Sequence, residues 1–176
     1  MAVSTAVWLF FASIAYNSVK QEDAEFFMRL SYVGVAFIAI TMFHLTTAFL
    51  KLKLRSWILP LTYLYGTLSS FLILKTNYLI KGTYKYFWGY YPRAGEFHPI
   101  FLVIFIFIVV MCVVLLLISF LKEKESVMRK RQIGYLLLAL FIYDFASVDF
   151  IPNYGIEFYP FGYIPDRKST RLNSSH

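Results

Sequence analysis

The chain has 176 residues, 59% of them hydrophobic and 20% aromatic, with 15% charged and a formal net charge of +7. An ordinary soluble domain of this size cannot bury so much apolar surface, so the composition excludes a water-soluble globular protein and points to a bilayer as the solvent. The basic residues stand at the ends of apolar runs and form no face interleaved with stacking aromatics, which argues against nucleic acid as a partner.

A spanning helix needs about 20 residues to cross about 30 Å of hydrocarbon. Five segments meet or approach that length: Ala2 to Ser18, Phe26 to Leu50, Trp57 to Leu74, Pro99 to Leu121 and Ile133 to Phe150, with a sixth beginning near Phe158. The expected fold is therefore all-α, a polytopic transmembrane helix bundle of five full spanning helices plus the start of a sixth. The first segment is a span and no secretory leader, because no Lys or Arg precedes Lys20. An alternative is that Met1 is an internal codon and the native start lies upstream. The fourth is the clearest, 23 residues without a charge, opened by a proline that a first helical turn tolerates. Cys112 lies inside it as a small lipid- or helix-facing residue, and as the lone cysteine it allows no intrachain disulfide.

The connections set the orientation. Lys51, Lys53 and Arg55 fill one, and Lys122, Lys124, Arg129, Lys130 and Arg131 fill another, so both belong to the cytoplasm by the positive-inside rule. The connection Lys20 to Glu25 and the long stretch Lys75 to His98 then lie outside, although the latter holds four cations. That stretch carries Trp88, Tyr90 and Tyr91, punctuated by Gly89, Pro92 and Gly95 as an ordered turn. It reads as an interfacial anchor or a ligand cleft. A second aromatic, proline and glycine segment, Ile151 to Gly162, falls on the same side, and the two are placed to form one lid over the bundle.

Polar residues inside apolar runs are the remaining candidates. His44, read as the only histidine within a span, is suited to a neutral bond across to a neighbouring helix, or to ligand or proton sensing. Asp144 and Asp149 are five residues apart, about 140° around a regular α-helix, so they are not expected to share one face closely. Asp144 should face protein or water, or else be protonated, because a carboxylate near the bilayer centre costs several kcal/mol. Asp149 lies at the outer boundary. Trp88, Tyr90, Tyr91, His44, Asp144 and Asp149 are thus the candidate ligand-binding or sensing residues. No glycine-rich phosphate loop, metal-spaced His or Cys cluster, or partnered nucleophile is present, so no catalytic, cofactor-binding or metal residue is assigned.

From Asp166 the composition breaks to DRKSTRLNSSH where the sixth span should continue. The string equals one translated frame of a widely used sequencing adapter, so residues 166–176 are read as an artefactual tail and residues 1–165 as the membrane domain. A natural polar tail is the alternative.

Several short motifs carry a resemblance. They are Trp8 in the first span, Ala24 to Leu30 leading into the second, and Phe43-His44 late in it. Others are Trp88-Gly89-Tyr90-Tyr91-Pro92 through Gly95, Arg131-Gln132, Asp149, and Tyr159-Pro160-Phe161-Gly162. In these the chain resembles the seven-helix amino-terminal membrane region of bacterial sensor histidine kinases and some diguanylate cyclases, truncated at both ends. The resemblance implies a receptor without a catalytic domain of its own, sensing a small-molecule or membrane-borne signal. It would sit in the bacterial inner (cytoplasmic) membrane and relay helix movement to a kinase that works as a homodimer. Rival readings are the sensor of a diguanylate cyclase, a transporter or channel fragment, and an intramembrane enzyme using His44 and Asp144. A transporter predicts helix breaks in mid-span and matching halves, for which Pro60 and Gly66 give thin support.

Overall fold

The computed structural model describes residues 1–53 and 56–159. Among the described residues there are five α-helices: α1 (Ala2–Tyr16), α2 (Gln21–Phe49), α3 (Ile58–Lys75), α4 (His98–Lys122) and α5 (Val127–Asp144). The expected sixth span and the expected tail, residues 166–176, lie outside the described residues apart from Phe158 and Tyr159. By length and hydropathy α2, α3, α4 and the stretch Val127–Tyr154 can each cross a membrane. This is the expected polytopic helical bundle.

The first helix is shorter than its apolar run. It stops at Tyr16 because Asn17 Nδ2 and Ser18 Oγ donate to the carbonyls of Ser13 and Ile14, at 2.8 and 2.9 Å, and so satisfy the last turn. Against it lies α2, the central helix, with 61% of its most apolar window buried in protein against 28% or less for the other candidate spans. Small residues let the two backbones approach: a Cβ on Gly34 would stand 2.6 Å from the Trp8 nitrogen and 2.7 Å from the Ser4 carbonyl oxygen. Ser31 Oγ adds a hydrogen bond to the Trp8 carbonyl at 3.0 Å. α2 also sets Val35, Ile38 and Met42 into a core shared with Phe101, Phe105 and Cys112 of α4. Cys112 is therefore buried within the protein.

Between α3 and α4 the chain forms an antiparallel hairpin, β1 (Ile80–Tyr86) and β2 (Gly89–Ala94), joined by the two-residue turn Phe87-Trp88. Gly89 opens β2 at φ +131°, a conformation L side chains rarely adopt, and a Cβ there would run into the Tyr16 backbone. Pro92, opposite Thr83, is tolerated because a two-stranded ribbon leaves each strand an unpaired edge. Arg29, on α2, anchors the hairpin's root. It pairs with Glu25 at 2.8 Å and donates to the carbonyls of Ile73, Thr76 and Ile80 at 2.6, 2.6 and 3.0 Å, and to Asn77 Oδ1 at 2.6 Å. The end of α3 thereby gains donors for carbonyls that its own last turn leaves unpaired.

At the opposite end of the bundle, Ser126 caps α5 by accepting from the Arg129 N–H at 3.2 Å. Arg129 in turn donates to the Phe49 carbonyl and places its guanidinium 4.4 Å from the Phe49 ring centre. The connection after α4 thus meets the end of α2, and the two cation-rich connections share one end. After Asp144 the helix tightens into a 3-10 segment, Phe145–Tyr154, which contains Pro152 and ends at Gly155 in the left-handed region.

A lidded cleft as the candidate functional site

The hairpin and the 3-10 segment meet over one end of the bundle. Tyr86 donates its hydroxyl proton to the Pro152 carbonyl at 2.7 Å, and Tyr91 donates to the Asp149 carbonyl at 2.5 Å. Tyr91 also stacks on Tyr16 of α1, with centroids 5.9 Å apart, and Tyr90 reaches the Val19 carbonyl at 3.5 Å. Trp88 stacks on Tyr86 at 4.6 Å and meets Tyr159 edge-on at 5.4 Å. Both aromatic segments therefore form a single cap. Trp88, Tyr90 and Tyr91 are buried in it, whereas Phe87 at the hairpin tip is 72% exposed. Burial in protein sets those three apart from an exposed interfacial belt. Burial raises the Tyr86 and Tyr91 hydroxyls above the ordinary tyrosine range, so both stay protonated donors.

Under the cap lies a buried polar cluster that sequence reading missed. His98 opens α4 at 1% exposure, which corrects the reading of His44 as the only histidine within a span. Its Nδ1 lies 2.9 Å from the Tyr154 hydroxyl and its Nε2 3.4 Å from both the Tyr32 hydroxyl and Asn153 Nδ2. Asn153 Nδ2 donates to the Tyr32 hydroxyl. The roles follow in a chain: the Tyr32 proton points to Nε2, which accepts, and Nδ1–H donates to Tyr154. This chain ties the 3-10 segment to α2 and α4. The one sequence signal for His98 is its place directly before Pro99 at the start of an apolar run.

Beside the cluster runs a narrow cleft bounded by α1, α2, α4 and the α5-to-3-10 junction, with Tyr91 at its lid end. Asp144 and Asp149 both line it. The expectation that they avoid a common face assumed a continuous α-helix. The chain instead tightens at Phe145 to a helix with 3.0 residues per turn, which still leaves them about 120° apart, so both border the cleft without sharing one helix face. Asp149 is buried, and Asp144, at the last turn of α5, is half-buried.

His44 belongs elsewhere. It sits near the far end of α2, bonds through Nδ1 to the Tyr63 hydroxyl of α3 at 2.9 Å, and faces a separate hollow with Lys51 and Ser56. Trp88, Tyr90, Tyr91, Asp144 and Asp149 are thus gathered at the lid and cleft, and His44 is not. Among the described residues no group of three His, Cys, Asp or Glu side chains is placed to hold a metal ion.

No curated protein and no solved structure matches this chain. The family model described as the N-terminal 7TM region of histidine kinase matches residues 1–165. With its apolar helices packed as a polytopic bundle, the chain belongs to that family of multi-pass membrane sensor regions.

Proposed function

We propose that the chain is the signal-sensing membrane region of a bacterial two-component sensor histidine kinase, working in the inner membrane as part of a homodimeric parent protein. The observation that carries the reading is the cap: two aromatic segments far apart in sequence are latched together by Tyr86 and Tyr91 over a cleft that reaches into the bundle. A signal entering beside or beneath the cap meets α1, α2, α4 and α5 at once. It can bias their arrangement only by binding one arrangement better than another. Trp88, Tyr90, Tyr91, Asp144 and Asp149 are the residues assigned to that step, while His44 holds α2 to α3 at the other end.

Two cation-rich connections meeting at the end opposite the cap support an orientation with the cap outside and the output side in the cytoplasm. The genomic sequence following the codon for Pro165 is the direct test. A histidine-kinase domain in frame supports the assignment, whereas a permease-like repeat defeats it. A cyclase domain in that place would keep the sensory role and change the output.

A further inference from the structure

The cleft contains a carboxylate with no counter-charge. Asp144 is half-buried and makes no hydrogen bond or ion pair among the described residues. Among the described residues no Lys, Arg or His lines the same space. Its walls instead carry the rings of Trp8, Tyr32, Tyr91, Phe105, Tyr143 and Phe150. Ring faces are negative and attract cations within about 6 Å of the centroid. A carboxylate away from water calls for a positive partner or a proton. Along α2, Val35, Ile38 and Met42 follow one another at helical spacing and give the cleft an apolar side opposite Val109 of α4.

We propose that this cleft binds an amphiphilic amine, with its ammonium beside Asp144 among the aromatic rings and its hydrocarbon body against the α2 and α4 strip. The proposal rests on the sensory reading above and names the class of signal. Acidic amphiphiles are disfavoured by Asp144 and Asp149, and neutral ones leave Asp144 unmatched. As it stands the cleft holds only about 40 Å³ of space, room for a few waters and too little for the body of an amine. An occupant therefore has to part α2 from α4 and the α5 junction. Binding and helix displacement become one event.

The test uses the purified chain in bilayer nanodiscs of zwitterionic lipid, with Trp57→Phe to remove the exposed tryptophan and a matching Trp8→Phe protein to give the signal of Trp88 in the cap, so that the difference reports Trp8 in the cleft wall. The probes are dodecylamine and dodecanol carrying the same bromine-labelled chain, read by quenching of tryptophan fluorescence. Saturable quenching by the amine is expected, at least tenfold tighter than by the alcohol. Asp144→Asn should weaken the amine at least tenfold and leave the alcohol unchanged, and Asp144→Glu should retain amine binding. Equal quenching by amine and alcohol, or an Asp144→Asn protein that binds the amine as the parent does, overturns the proposal. Autophosphorylation of the parent kinase tests the sensory reading separately: amine binding with no change in phosphorylation removes that reading and leaves the site.

Discussion

Arg29 offers the sharpest energetic test of how the cap is held. Its side chain is 12% exposed and joins α2 to the last turn of α3 and the first residue of β1 through Glu25, three carbonyls and Asn77. Arg29→Ala deletes all of these donors at once and strands carbonyls that water reaches poorly. Hydrogen bonds to a charged group contribute about 1.5–3 kcal/mol each and removing one partner of a buried charged pair costs about 3–5 kcal/mol, but such terms share one side chain and do not add. A loss of about 3 kcal/mol is therefore expected for the bundle. Glu25→Gln should cost less than about 1 kcal/mol, since that carboxylate is 32% exposed and screened. Arg29→Lys keeps the charge but not the planar fork, and should recover less than half of the loss. Equilibrium unfolding in mixed detergent micelles, followed by tryptophan fluorescence, measures all three. An Arg29→Ala protein within about 0.5 kcal/mol of the parent, or an Arg29→Lys protein equal to it, would refute the anchoring role.

Gly34→Val should cost about 1–3 kcal/mol in the same assay, because its Cβ meets the α1 backbone at Trp8 and Ser4 and the helix must shift away. Tyr32→Phe and Asn153→Ala should show a coupling of about 0.5–3 kcal/mol in a double-mutant cycle; additive losses would mean that the buried pair is not a unit. Raising pH should loosen the cap. An unfolded tyrosine ionises near pH 10, while burial keeps the Tyr86 and Tyr91 protons on in the folded state. Their contribution is thus intact below about pH 10 and lost as pH climbs through the higher folded values. Tyr91→Phe should flatten that loss, measured as hydrogen exchange in the hairpin against tyrosinate absorbance; an unchanged slope would contradict the linkage.

The spans were legible because uninterrupted hydropathy survives any packing arrangement, as in Pro99 to Leu121, and the charge clusters fixed their order. Trp88-Gly89-Tyr90-Tyr91 was legible as a cap but not as a hairpin. Its two-residue turn is Phe87-Trp88, which lacks the Asn-Gly type of signature, and its aromatics resemble a membrane-interface belt. His98 looked like a loop residue because it borders an apolar run, and only the return of Asn153 and Tyr154 to α4 gives it partners. That Asp144 and Asp149 border one cleft was not legible, because it depends on how the segment after Phe145 packs beneath the hairpin. Arg29 stood inside a motif that marked the family, while all its acceptors except Glu25 lie more than forty positions away.

The central claim is a membrane bundle whose aromatic cap faces outside and whose cation-rich connections face the cytoplasm. Single cysteines at Phe87, Lys53 and Lys124, in a Cys112→Ala background, report it through an impermeant thiol reagent applied to intact cells; all three positions are exposed on the protein. Labelling is expected at Phe87 alone, with the other two reacting only after permeabilisation. Labelling at Lys53 and Lys124 in intact cells, with or without Phe87, would contradict it.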